Sequence, residues 1–166
     1  DHRETRKMWL MHINIFPKPY THLPILGFDI VAGPKKITGA FFDYSAHAYH
    51  PYSDYIEIAT KNLVWNKPRE LPDWAQKIFS DNMIAAGNIR GEELDQLCSV
   101  TYQLIEHYVT NIDANAFPNK EDLTDWHNHY CKNQKKNPHL HRSILQMGIS
   151  EQDKDKYVNE ILFEEI

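Results

Sequence analysis

Residues 25–43, ILGFDIVAGPKKITGAFFD, decide the fold. Two apolar runs rich in Ile, Val and Phe, 25–31 and 37–43, flank Gly33-Pro34-Lys35-Lys36, a connection with room for a hairpin and none for a parallel crossover. The two runs therefore read as antiparallel neighbouring strands. Upstream, 8–16 (MWLMHINIF) is a third run of the same kind, set off by Pro17, Pro19 and Pro24. Downstream, 44–52 (YSAHAYHPY) reads as a loop dense in aromatics and histidine, with Ser53 as the N-cap of a helix through YIEIATKNLVW. KPRELPDW is too punctuated by proline to be regular, and 82–89 (NMIAAGNI) is expected to form a fourth strand ended by Gly91.

From Glu92 the period changes. Leu94, Leu97, Cys98, Thr101, Leu104, Ile105 and Tyr108 recur at three- and four-residue steps, the signature of a long amphipathic helix. A second helix is expected over 120–136, with Leu123, Trp126, His127 and Tyr130 on one side and KNQKK on the solvated side. Asn137-Pro138 interrupts it, because the residue before proline avoids helical angles while proline suits a first helical turn. A shorter helix, 138–147, ends at Gly148, and Ser150 caps a last one carrying Tyr157, Val158, Ile161 and Leu162. Strands first and helices after them predict an α+β domain, an antiparallel sheet covered by helices.

The 166 residues suffice for one sizeable core and argue for a single domain over 1–166. Hydrophobic residues at 42% and only six glycines exclude disordered, collagen-like and low-complexity chains. No run approaches the roughly 18 apolar residues of a membrane span, so no membrane partner is expected. Two cysteines, Cys98 and Cys131, fit neither a disulfide scaffold nor a four-ligand zinc site, which makes a reducing, cytoplasmic setting the expectation. A net charge of −5 argues against a general nucleic-acid binder. The chain opens at Asp1 with neither Met nor a signal-peptide pattern, and further chain upstream is expected.

Two residues stand out chemically. His12 lies in the middle of an apolar strand, where an imidazole without a partner costs on the order of 1–3 kcal/mol. Asp29 lies between Phe28 and Ile30, and carboxylates are almost never buried unpaired. Strand alternation puts Asp29 on a face with Gly27 and Val31, away from Phe28 and Ile30, so His12 and Asp29 on adjacent strands can point into one cleft. A desolvated carboxyl beside an imidazole is a credible proton donor system. His127, His129, Cys131, His139 and His141 raise the question of a metal. Only His127 and Cys131 share a helical face, however, and no CxxC or HxxxH spacing is present, so no metal site is expected. GxSxG, GxGxxG after a strand and Walker sequences are absent, which weakens hydrolase and nucleotide-dependent readings. Arg69, in the irregular segment, can pair with Glu70, Asp73 or a ligand's acid group, and Trp74 is read first as packing. Lysines 35, 36, 132, 135 and 136 are either solvated faces or a docking rim.

The runs FPKPYTHLPILGFDIVAGPKKITGAFFDYS, PRELPDWAQKIFS and CKNQKKNPHLHRSIL with YVNEILF, in this order, resemble the ferredoxin-dependent bilin reductases, most of all the phycocyanobilin-forming branch and its phage-encoded relatives. The resemblance implies an α/β/α sandwich holding an open-chain tetrapyrrole between the sheet and the C-terminal helices. It implies no bound flavin, haem or metal: reduced ferredoxin supplies single electrons, the protein supplies protons, and the expected protein is a monomer. The implied substrate is biliverdin IXα and the implied product phycocyanobilin or a close isomer. A non-catalytic bilin carrier using the same pocket is the alternative. By the resemblance, His12 sits beside the pyrrole nitrogens and lactam oxygens, Asp29 protonates the bilin, and Asn137 stands where phycoerythrobilin-forming members carry a second aspartate. Thr38, Arg69 and His139 fall where propionates are held, His139 in place of a lysine, and Trp74 lies near the pocket. The family's catalytic glutamate and a first strand would lie upstream of Asp1.

Overall fold

A computed structural model describes residues 8–112 and 122–166. Four strands, β1 (Trp9–Ile15), β2 (Ile25–Ala32), β3 (Ile37–Ser45) and β4 (Ile84–Ala86), form one sheet in the order β1-β2-β3-β4, antiparallel throughout. The hairpin expected between β2 and β3 is present, closed by Gly33 N–H donating to Lys36 O at 2.9 Å. The fourth strand is shorter than the expected 82–89. Asn88 already has a positive φ of 60° and Gly91 one of 59°, so the ladder beyond Ala86 shrinks to a single bridge between Ile37 and Ile89.

Alternation divides the sheet into two faces. Leu26, Phe28, Phe42 and Tyr44 pack against α1 (Pro51–Thr60) and α3 (Glu92–Thr110), burying Tyr52, Ile56, Val100, Leu104 and Tyr108. Ile25, on the opposite parity, packs instead with Ile78, Tyr130, Cys131, Ile144, Val158 and Phe163. These come from the segment after α2 (Asp73–Gln76), from α4 (Thr124–Gln134) and α5 (Pro138–Gln146), and from the C-terminal turn. Helices therefore cover both faces, the expected three-layer arrangement. Two tyrosines tie α3 and the strands together: Tyr44 donates to Leu104 O, and Tyr108 donates to Pro24 O at 3.0 Å.

Several boundaries differ from expectation for local reasons. Tyr44 and Ser45 continue β3 rather than opening a loop, because Tyr44 is fully buried among Phe42, Tyr52 and Tyr108. The cap of α1 is His50, not Ser53: its imidazole accepts from Tyr52 N–H at 3.2 Å and Pro51 supplies the first helical residue. On α3 the buried stripe is Leu97, Val100, Thr101, Leu104 and Tyr108, whereas Leu94 and Cys98 stay exposed. The expected helix over 120–136 is seen as Thr124–Gln134, and Lys120 lies outside the described residues. Asn133 and Gln134, expected on its solvated side, are buried. Ser150 caps α6 (Glu151–Tyr157) as expected, accepting from Asp153 N–H at 3.1 Å. That helix continues into a π-helical turn, Val158–Leu162, whose wider spacing brings Phe163 N–H onto Val158 O. Among the described residues no helix is long and apolar enough to cross a membrane.

Candidate active site

The antiparallel register sets His12 of β1 opposite Asp29 of β2, on the face turned toward α4 and the C-terminal turn. Here the two expected partners meet: His12 Nδ1 is hydrogen-bonded to Asp29 Oδ1. Their side chains keep 23% and 38% of their surface exposed, so the carboxylate is paired and half-open rather than deeply buried. His12 Nε2 accepts from Asn14 Nδ2 at 3.0 Å, and the ring of Phe163 stands edge-on to the imidazole with centroids 5.9 Å apart. Among the described residues nothing hydrogen-bonds Asp29 Oδ2.

The next row of the same face is Asn14, Gly27 and Asp43. Asp43 is 1% exposed and accepts from Ser45 Oγ at 2.6 Å, from Ser80 N–H at 3.1 Å and from the Ser80 hydroxyl. Burial pushes its carboxyl above the usual carboxylate range, against the pull of those hydrogen bonds. Over Gly27 lies the Tyr130 hydroxyl of α4, which accepts from Gln134 Nε2 at 2.8 Å. A Cβ at residue 27 would stand 3.2 Å from that hydroxyl and 3.4 Å from Asn14 Oδ1. Glycine thus leaves the notch that lets the two side chains approach. Burial first, and then the negative charge of Asp29 and Asp43, push the Tyr130 hydroxyl far above the usual tyrosine range.

Thr38 and Arg69 are also brought together. The segment carrying Arg69 runs beside β4, with Arg69 N–H donating to Ala85 O and Gly87 N–H to Lys67 O, each at 2.9 Å. The exposed guanidinium crosses over Gly87 and donates to Thr38 O, while Thr38 Oγ1 donates to Val31 O at 2.9 Å. Among the described residues it pairs with neither Glu70 nor Asp73. Trp74 is half-buried against Phe79, in the cluster that contains Tyr130 and Phe163.

Asn137 and His139 stand apart from the pair. Asn137 Oδ1 caps α5 by accepting from His139 N–H at 3.0 Å, and His139 is exposed. Among the described residues no hydrogen bond joins either to His12 or Asp29. The co-facial His127 and Cys131 serve the chain's end instead: both donate to Glu164 O, at 2.8 and 3.4 Å, and burial pushes the Cys131 thiol up to about 12. Lys132 and Lys135 pair with Glu165, Lys136 donates to Asn133 Oδ1 and Lys36 to Asn88 Oδ1, so four lysines of the suggested rim have partners within the chain.

The family model described as ferredoxin-dependent bilin reductase matches residues 3–164. The chain belongs to this family. Among curated bilin reductases, it is 30% identical to the phycocyanobilin:ferredoxin oxidoreductase of Synechococcus sp. (strain CC9605), covering 93% of this chain and 65% of that protein. It is 28% identical to the protein of the same name from Prochlorococcus marinus (strain MIT 9313), covering 94% of this chain and 61% of that protein. The chain thus spans just under two thirds of the length of these relatives. The fold is that of tomato phytochromobilin synthase, solved in complex with biliverdin, at a TM-score of 0.69, 18% identity, 96% of this chain and 61% of that one.

Asp43, Tyr130, Gln134 and Asn14 are not among the residues that the sequence singles out for chemistry. Only Asn14 left a readable signal, two residues after His12 in a strand and hence on its face.

Proposed function

We propose that this bilin reductase transfers electrons from reduced ferredoxin to biliverdin IXα and yields phycocyanobilin or a close isomer, with Asp29 as the proton donor and His12 as its partner. The observation that carries this reading is the His12 and Asp29 pair, half-open on a sheet face with Asp29 Oδ2 unbonded among the described residues. Each carbon–carbon double bond reduced consumes two electrons, delivered singly by ferredoxin, and two protons. The chain's own task is then to place an acid beside a bilin radical, and a carboxyl bonded to an imidazole can exchange protons with it at one oxygen while the other faces the substrate. Arg69 is the cation for a propionate, since no carboxylate of the described residues neutralises it. Thr38 and Trp74 lie in the elements next to it, and Asn137 and His139 would act from the start of α5. Family membership supports the reaction class, and the curated names support the product.

The test is an anaerobic absorbance time course with biliverdin and a reduced-ferredoxin system, followed by chromatography of the extracted pigment. Wild-type protein should give a more reduced bilin, and Asp29→Asn should bind biliverdin but turn over about 100- to 10,000-fold more slowly, the usual contribution of a placed acid. Full activity of Asp29→Asn would remove its role. A biliverdin complex of the wild type that never changes would identify a carrier instead.

A further inference from the structure

We infer that Asn14 is a positioning residue of this site: it holds the His12 imidazole as the Nδ1–H tautomer, so that the ring's proton is directed at Asp29. Its bearing on catalysis rests on the function proposed above.

An amide nitrogen only donates, so the contact of Asn14 Nδ2 with His12 Nε2 at 3.0 Å requires a bare lone pair on Nε2. The neutral ring's one proton is then on Nδ1, where it donates to Asp29 Oδ1. The opposite tautomer would set two donors against each other at Nε2 and a lone pair against the carboxylate at Nδ1. An imidazolium would oppose N–H to N–H at Nε2 unless the amide turned over. Asn14 Oδ1 and the Tyr130 hydroxyl, which accepts from Gln134, both border the space above Gly27, 3.4 and 3.2 Å from where a Cβ would be. Among the described residues, Asp29 from β2 bonds the ring and Tyr130 from α4 feels the Asp29 charge, while the C-terminal turn presents the apolar Phe163. Asp43, one row away, is occupied by Ser45 and Ser80.

The consequence for chemistry is one of direction. With the ring's proton turned to Asp29 Oδ1, the second oxygen, Oδ2, is left facing the open side of the pair.

The experiment uses the full chain with 15N-labelled histidine and no bilin, with His12 identified by the signal missing from His12→Gln. Wild-type His12 should show a protonated Nδ1 and an unprotonated Nε2 near neutral pH. Asn14→Asp replaces the donor by an anionic acceptor, and the doubly protonated ring should persist about one to three pH units higher than in wild type. Asn14→Leu, similar in volume, should give exchanging tautomers, and a purely structural role for Asn14 would leave the nitrogen signals of both variants at wild-type positions. A wild-type His12 protonated at Nε2, or an Asn14→Asp ring that titrates with wild type, overturns the inference. Because this readout needs no substrate, it is separable from the proposed function: reduction of biliverdin by a protein with the wrong tautomer removes only the role of Asn14, and the right tautomer in a protein that reduces nothing removes only the reaction.

Discussion

Asp43→Ala is expected to lower the stability of the folded chain by about 3 kcal/mol, taking each of three lost hydrogen bonds at about 1 kcal/mol net. The three are those from Ser45 Oγ, Ser80 N–H and Ser80 Oγ, all on a carboxyl that is 1% exposed. Ser80 is only half-buried, so water can reach some of the freed donors, which keeps the loss near the middle of the range. Against a domain stability of about 5–15 kcal/mol this is a large fraction, and a urea titration should show it as a midpoint lowered by about 1–3 M. Asp43→Asn should behave differently. A carboxamide can put its oxygen where Oδ2 accepts from Ser45 and the Ser80 N–H, and its NH2 where it donates to the Ser80 hydroxyl, so the expected loss is under about 1 kcal/mol. The pH dependence has a definite sign. Burial raises the Asp43 carboxyl above the usual carboxylate range, so between that range and the raised value the folded state holds a proton that the unfolded state has lost. This contribution is complete below the unfolded value and disappears as pH rises through the folded one. Wild type should therefore gain on Asp43→Asn as the buffer is made more acidic. An alanine variant within about 1 kcal/mol of wild type, or a difference from Asp43→Asn that is flat with pH, would refute this account of the network.

Gly87→Ala places a Cβ 2.6 Å from Arg69 Nε and 3.0 Å from Thr38 O, so the guanidinium must leave its carbonyl. By absorbance titration it should weaken biliverdin binding about as much as Arg69→Ala, roughly tenfold or more for one charge-assisted hydrogen bond, and the double variant should lose little beyond either; undiminished affinity in Gly87→Ala would contradict the placement. Phe163→Ala removes a ring that is 1% exposed and should cost about 3–5 kcal/mol in urea denaturation, and a loss below about 1 kcal/mol would show that the C-terminal turn is not part of the core.

What could be read from the sequence is what short-range geometry determines. The hairpin follows from four residues between two apolar runs, and the two faces of β2 follow from alternation, which already separates Asp29 and Gly27 from Phe28. Alternation on adjacent strands offered His12 and Asp29 one cleft, and the resemblance assigned Thr38 and Arg69 each to the propionates; the register and the bridge beside β4 bring both pairs together. What could not be read depends on how distant elements dock. Nothing near Asp43 announces Ser80, 37 positions away, as its partner. Gln134 sits in a run, KNQKK, whose composition predicts solvent, and it is buried because α4 lays Tyr130 against the sheet at Gly27. The cap of α1 was missed because an imidazole can stand in for the usual hydroxyl.

The same distinction orders the candidate site. His12, Asn14 and Asp29 are fixed by one strand pairing, so their geometry is a property of the sheet and survives any shift of the helices that leaves the ladder intact. Asn137 and His139 belong to the first turn of α5, and the Asn137 carbonyl is committed to capping that turn. A residue whose oxygen caps a helix still offers a ligand its NH2 and one carbonyl lone pair, hydrogen bonds but no carboxyl proton. Under the proposed function Asn137 would then contribute hydrogen bonds to the bilin, and proton supply from the described residues would fall to the pair on the strands.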